Sequence, residues 1–148
     1  MTIPADPKLG YVPGPFHDRL SDLSRTQNWY GWAGTLAPGT IESLEFEYFA
    51  LRNQCALLDI SPMYKYRIAG SEAEAALNRM VTRDITRLTP GRVAYVIWCD
   101  EDGMVIDDGT LFRFSETDFR LCCQEPMLTW LLDATWGFDA EVIDETEQ

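Results

Sequence analysis

The residues most suited to chemistry lie in "EDGMVIDDGTLFRF", residues 101–114. The run 105–114 alternates and branches like a β-strand, yet Asp107 and Asp108 sit inside it. Asp is depleted in strands because its carboxylate competes for backbone hydrogen bonds and carries charge. The turn at 100–103 could hold acidic residues at no such cost. Period-two geometry sends the two side chains to opposite faces. Asp108 shares its face with Ile106, Thr110, Phe112 and Phe114, which marks that face as the inward one. Asp107 shares the other with Val105, Gly109, Leu111 and Arg113, a face nearer to water. A carboxylate beside phenyl rings must find donors or take up a proton. Either outcome suits proton handling, or the holding of a cationic or N–H-bearing ligand. Gly109, next in the chain, would let a flat ligand approach the backbone. A purely structural role stands beside this one, with Asp108 capping a bulge or pairing with a core arginine such as Arg92.

Other chemistries find less support. The four cysteines (Cys55, Cys99, Cys122 and Cys123) have no C-x-x-C spacing, and His17 is the only histidine. A zinc site is not expected. Apolar surroundings suggest reduced, buried thiols of a cytoplasmic protein. His17 reads as a surface or capping residue. The net charge of −12 would repel phosphate backbones and anionic membranes, so neither nucleic acid nor a membrane is an expected partner. No run approaches the ~18 apolar residues of a membrane span. The N-terminus lacks the pattern of a secretory signal.

The elements that must position the aspartates follow from pattern. The chain has 148 residues, enough for one ordinary domain, and 46% of them are hydrophobic, enough for a core. Residues 1–40, broken by "YVPGPF" and "LAPGT", read as an extended arm whose Trp29, Tyr30 and Trp32 pack onto something. Residues 41–148 form the main body. A helix is expected at 41–57, capped by Thr40, with Leu44, Tyr48, Leu51, Cys55 and Leu58 as its core stripe. A strand at 64–68 leads to a helix at 71–82 that opens on a Ser71–Glu74 capping box. Strands at 93–98, 105–114 and 119–123 with short connections make an antiparallel meander. A helix at 126–136 and a last strand at 140–143 complete a β-α-β-β-β-α-β order. The fold class is α+β, a mainly antiparallel sheet with packed helices.

Six spaced elements then carry a resemblance. They are Arg52, Asp59 to Met63 ("DISPM"), Gly70, Pro90 to Arg92, Tyr95, and Gly103 to Asp108. In this order they resemble the N-terminal part of the folate-binding fold of the glycine cleavage T-protein, an aminomethyltransferase, over about residues 40–145. The wider family includes tetrahydrofolate-dependent demethylases. The resemblance implies tetrahydrofolate as cofactor and a small methyl or aminomethyl donor as substrate. It places Asp108 beside the pterin as the catalytic and folate-positioning carboxylate. Tyr95 falls at a folate-lining tyrosine, or is a core strand aromatic. Gln124, in "CCQEP", takes the place of an asparagine that meets substrate or folate. Arg92 and Arg113 are candidates for the folate glutamate carboxylates, or are solvated surface residues. Pro62 stands where the T-protein has His, and Met104 where it has a second Gly; "DISPM" and "CCQEP" resemble the uncharacterised and demethylase-like branches more closely. The family fold runs to more than twice this length. The chain is therefore expected to be an incomplete domain that presents part of a site. It would act with a complementary C-terminal half, or serve as a non-catalytic binding or assembly module that self-associates.

Overall fold

The computed structural model describes residues 10–146. They belong to two compact units, Met1–Pro62 and Met63–Gln148.

The first unit holds more regular structure than an extended arm. Strand β1 (Val12–Pro13) runs parallel to β3 (Thr35–Thr40), which pairs antiparallel with β2 (Asn28–Trp32). The β2–β3 turn uses Ala33 and Gly34, both at positive φ (46° and 78°), the conformation that matches the twist of a tight hairpin. Such a hairpin is hard to read from "NWYGWAGTLAPGT", because Pro38 and three glycines look like breakers. Between β1 and β2 lies α1 (His17–Leu23). His17 is buried rather than superficial, with its ring 4.5 Å from that of Trp29.

Helix α2 (Leu44–Asn53) is shorter than expected and begins one turn later. Ser43, not Thr40, caps it by accepting from Phe46 N at 3.3 Å. Glu47 folds back to accept from Ile41 N and Glu42 N at 2.6 and 2.9 Å. The stripe expected to be core is instead exposed: Leu44, Tyr48, Leu51 and Leu58 all face solvent, and Cys55 does as well. Helical spacing identifies one apolar face correctly, but spacing carries no information on what covers it. The thiols are likewise unequal. Cys123 is buried, Cys99 and Cys122 are half-buried, and all four are free.

The second unit is the α+β body. Its five-stranded sheet has the order β5-β6-β7-β4-β8, antiparallel throughout. The strands are β4 (Tyr64–Ala69), β5 (Val93–Cys99), β6 (Val105–Arg113), β7 (Asp118–Cys123) and β8 (Glu141–Asp144). The expected meander is β5-β6-β7. Strand β4 then inserts between β7 and β8. Helices α3 (Ala73–Met80) and α4 (Leu128–Ala134) and a 3-10 turn (Ile85–Arg87) supply the rest of the core. Alternation is clean: Ala94, Val96 and Trp98 of β5, Leu111 of β6, Phe119, Leu121 and Cys123 of β7, and Tyr66 and Ile68 of β4 point inward. They meet Leu77 and Met80 of α3 and Leu131 of α4. Burying each large apolar side chain stabilises by roughly 1.5–3 kcal/mol, so this face holds the unit together.

The Ser71–Glu74 capping box does not form. Ser71 donates instead to Asp139 at 2.5 Å, and Glu74 pairs with Arg113. Long-range partners displace the local cap because each group meets an opposite charge or a stronger acceptor outside the helix.

Candidate functional site

The faces of β6 are the reverse of those expected. Gly109, Leu111 and Arg113 point into the core, whereas Asp108 and Phe114 are exposed. Two features of the packing explain this. A side chain at Gly109 would place its Cβ 2.4 Å from the Cys122 carbonyl oxygen and 3.3 Å from the Trp98 ring. The glycine therefore makes room for the indole and for β7, not for a flat ligand. Arg113 is only 4% exposed, yet its charge is matched. Its guanidinium pairs with Glu74 and Glu116, donates to Leu88 O at 2.8 Å and Ser115 O at 3.0 Å, and lies 5.0 Å from the Phe119 ring centre. A fully partnered arginine can occupy a core position that sequence reading assigns to solvent. It is accordingly not placed to meet a folate glutamate.

The adjacent aspartates do different work. Asp107 lies opposite Trp98 in the β5–β6 ladder. It accepts from Asp108 N at 2.8 Å and from Glu125 N at 3.2 Å. Its carboxylate thus ties the segment after β7 to β6, and it is the residue whose role the sequence did not disclose. Just beyond it the β5–β6 register shifts at Trp98/Cys99, so that Cys99 faces Val105 and Ile106 is the extra residue.

Asp108 lies opposite Ile97, and Tyr95 lies opposite Thr110, which makes Asp108 and Tyr95 diagonal neighbours on the outer face. The Tyr95 hydroxyl donates to the Asp108 carboxylate. Both side chains are exposed, so Tyr95 is not a core aromatic and Asp108 is not enclosed among phenyl rings. Arg92 is exposed and does not pair with Asp108; the phenol is the partner. This hydrogen bond, followed by slight desolvation and the charges of Asp108 and Asp107, raises the pKa of the phenol above its ordinary value. Gln124 is exposed, one residue beyond the last β6–β7 pair, Gly109–Cys123. Continuing that register would set it across from Asp108, but no hydrogen bond joins it to Asp108 or Tyr95. The sequence-predicted trio therefore comes together as a bonded pair plus a nearby third residue.

Farther along the same outer face of β6, four and six residues from Asp108, lie Phe112 and Phe114. Phe112 and Phe114 are stacked with ring centres 6.4 Å apart and planes 17° from parallel. Arg120, paired with Glu145, lies 5.3 Å from the Phe114 ring centre. A carboxylate with acceptor capacity beyond its bond from Tyr95, and the phenol itself, form a donor and acceptor set that suits a polar heterocycle, with flat aromatic surface farther along the strand. Among the described residues, no group of three or more His, Cys, Asp or Glu could hold a metal ion. No described helix is long and apolar enough to cross a membrane.

Comparison with known proteins gives this geometry its context. The family model for the GCVT N-terminal domain matches residues 22–148. An aminomethyltransferase of Clostridium botulinum is 30% identical over 120 residues, covering 78% of this chain and 32% of that protein. A trimethylamine-oxide aldolase of Ruegeria pomeroyi is 36% identical over 122 residues, covering 78% of this chain and 15% of that protein. The crystal structure of glycine cleavage system aminomethyltransferase T from Bartonella henselae superposes with a TM-score of 0.72 at 22% identity, covering 90% of this chain and 38% of that one. The chain thus spans about a third or less of the length of the curated relatives it matches. With the family model matching most of its residues, the chain belongs to the GCVT N-terminal domain family.

Proposed function

We propose that this chain carries the N-terminal part of a tetrahydrofolate-dependent transferase that moves a methyl or aminomethyl unit. The observation that carries the reading is the Tyr95 hydroxyl bonded to the Asp108 carboxylate on the outer sheet face. Bound tetrahydrofolate would supply the nitrogen that takes up the one-carbon unit. Asp108 would accept a hydrogen bond from a folate N–H and orient that nitrogen toward the donor carbon. Tyr95 fixes the direction of the carboxylate by occupying one of its oxygens. Gln124, able both to donate and to accept, would contact folate or donor from the β7 side. Phe112 and Phe114 offer the stacking surface. A cytoplasmic location, a small methyl or aminomethyl donor, and no nucleic-acid or membrane partner belong to the same reading.

Calorimetric titration of the 148-residue chain with tetrahydrofolate tests it, beside Asp108→Asn and Tyr95→Phe. Losing a charged acceptor should weaken binding about tenfold or more, and losing the phenol less. No binding by the wild-type chain, either alone or combined with a complementary C-terminal half, rejects the folate reading. Equal binding by wild type and Asp108→Asn rejects the role of Asp108.

The exposed face of α2 favours a second reading, a module that works only when assembled with a complementary polypeptide or with itself. Leu44, Tyr48 and Leu51 form that face, and Phe46 and Phe49 are exposed on the opposite side of the helix. An apolar face of this kind marks an interaction surface. Light scattering decides the self-associating form: a monodisperse monomer across the micromolar range rejects it.

A further inference from the structure

A cleft of about 330 Å³ lies at the β5 edge of the second unit, lined by Arg83, Asp84, Arg87, Leu88, Val93 and Ala94. It shares no lining residue with the Tyr95–Asp108 pair. Its frame is pinned at several points. Val81 bridges to Trp98, and Thr82 N donates to Ile97 O at 2.8 Å. Ile85 is fully buried, and its N–H donates to Asn78 Oδ1 at 2.8 Å. Leu88 O accepts from the buried Arg113. The two arginines that flank Ile85 therefore project from a rigid turn.

Their charges are unspent. The chain has twice as many acidic as basic residues, 24 against 12. Arg25, Arg67, Arg113 and Arg120 all find carboxylates. Arg83 and Arg87, like Arg19, Arg52, Arg79 and Arg92, pair with no carboxylate among the described residues, but these two alone of that group line the cleft, and Asp84 lies between them in sequence. The Asp84 carboxylate is turned to its own loop, where it accepts from Thr86 N at 3.1 Å and Thr86 Oγ1 at 2.6 Å. The cleft thus keeps two guanidinium groups and one self-bonded acid, against an apolar wall of Leu88, Val93 and Ala94. Guanidinium forks match the oxygens of carboxylate and phosphate, and a cleft of this size takes a small molecule.

We propose that the cleft binds a small organic anion, a carboxylate or phosphomonoester carried on an apolar body. The head meets Arg83 and Arg87, and the body lies on Leu88, Val93 and Ala94. The site is separate from the folate reading above and does not depend on it.

Amide chemical shifts of the labelled 148-residue chain, titrated with phenyl phosphate, benzoate, benzyl alcohol and inorganic phosphate, test this. Saturable shifts at residues 83–88 and 93–94 are expected with at least one of the two aromatic anions. The tighter of the two identifies the head group. The double variant Arg83→Gln/Arg87→Gln should weaken that binding about tenfold or more, whereas Arg83→Lys/Arg87→Lys should restore part of it. Both arginines are exposed, so both variants should keep the wild-type melting temperature. Asp108→Asn should bind as wild type does. Equal affinity for benzyl alcohol, equal affinity for inorganic phosphate, unchanged binding by the glutamine variant, or no shifts with either aromatic anion would overturn the proposal.

Discussion

Replacing Arg113 with alanine should destabilise the second unit by about 3 kcal/mol, toward the lower end of the range for breaking a buried ion pair from one side. The side chain is 4% exposed, and its five N–H groups are spread over two carboxylates and three carbonyls. Truncation leaves half-buried Leu88 O without its donor, at about 1–3 kcal/mol where it finds no water, whereas Ser115 is exposed and its carbonyl can rehydrate. It also forfeits the stacking on Phe119, about 1–2 kcal/mol at a desolvated site. Glu116 adds little because its carboxylate is 76% exposed. Glu74, at 34%, can rehydrate in part, and that keeps the sum from reaching the upper end of the range. Urea unfolding followed by Trp fluorescence is the assay, since Trp98 is fully buried in this unit. A slope of about 1–3 kcal/mol per molar for small domains converts 3 kcal/mol into a midpoint lowered by about 1–3 M. Arg113→Lys should fall between, keeping the charge but losing the fork. Glu116→Gln should stay within about 1 kcal/mol of wild type. An Arg113→Ala midpoint indistinguishable from wild type would refute the reasoning, because it would mean the guanidinium stabilises neither the carbonyls nor the fold around it.

Two further outcomes rest on the same packing. Gly109→Ala should cost about 1–3 kcal/mol by overpacking, read as a lowered melting temperature, since the Cys122 carbonyl in its path is backbone and cannot rotate away. A wild-type melting temperature would show that β6 and β7 part without cost. Burial, foremost, and the charge of Asp107 push the Cys123 thiol from 9.0 up to about 12. Above pH 9 the unfolded chain releases this proton while the folded one keeps it, so the unfolded state binds fewer protons and stability falls as pH rises toward 12. The loss between pH 8 and pH 10 should be about 1.4 kcal/mol, measured as the change in urea midpoint, and Cys123→Ala should remove it. Cys122 and Tyr66, both also raised, contribute with the same sign and should leave a residual slope in that variant. An unchanged slope in Cys123→Ala would refute the assignment.

What the sequence makes legible is whatever alternation and turns encode locally. The meander can be placed within about a residue at each end, because strand periodicity and the tight "DEDGM" and "SETD" turns act over short range. The diagonal pairing of Tyr95 with Asp108 is invisible at that level, although each residue stands out by itself. It depends on which strand neighbours which and in what register, and a bulge at Ile106 resets that count. The orientation of β6 misleads because its decisive side chains break the usual rule. Arg113 enters the core with its partners, and Gly109 enters as space for an indole supplied by β5. Neither partner set is visible within the strand's own residues. The β2–β3 hairpin is hidden for a related reason: Gly31 lies against the Tyr11 ring, a contact from outside the hairpin that turns an apparent breaker into a packing position.

The adjacency of Asp107 and Asp108 follows from this geometry. A strand that must both secure a neighbouring loop on one face and offer a carboxylate on the other can do so at a single level only with consecutive residues. Asp107 secures Glu125 N, which limits where Gln124, one residue earlier, can stand relative to β6. Asp108 N is in turn held by Asp107, while its carboxylate is held by Tyr95. Backbone and side chain of the outward acid are thus fixed from two sides, which the folate role proposed for it would use. Such pre-orientation lowers the entropy cost of binding. Because the face is open to water, desolvation of the carboxylate must come from whatever covers it, so occupancy of the face and strengthening of its hydrogen bonds should occur together.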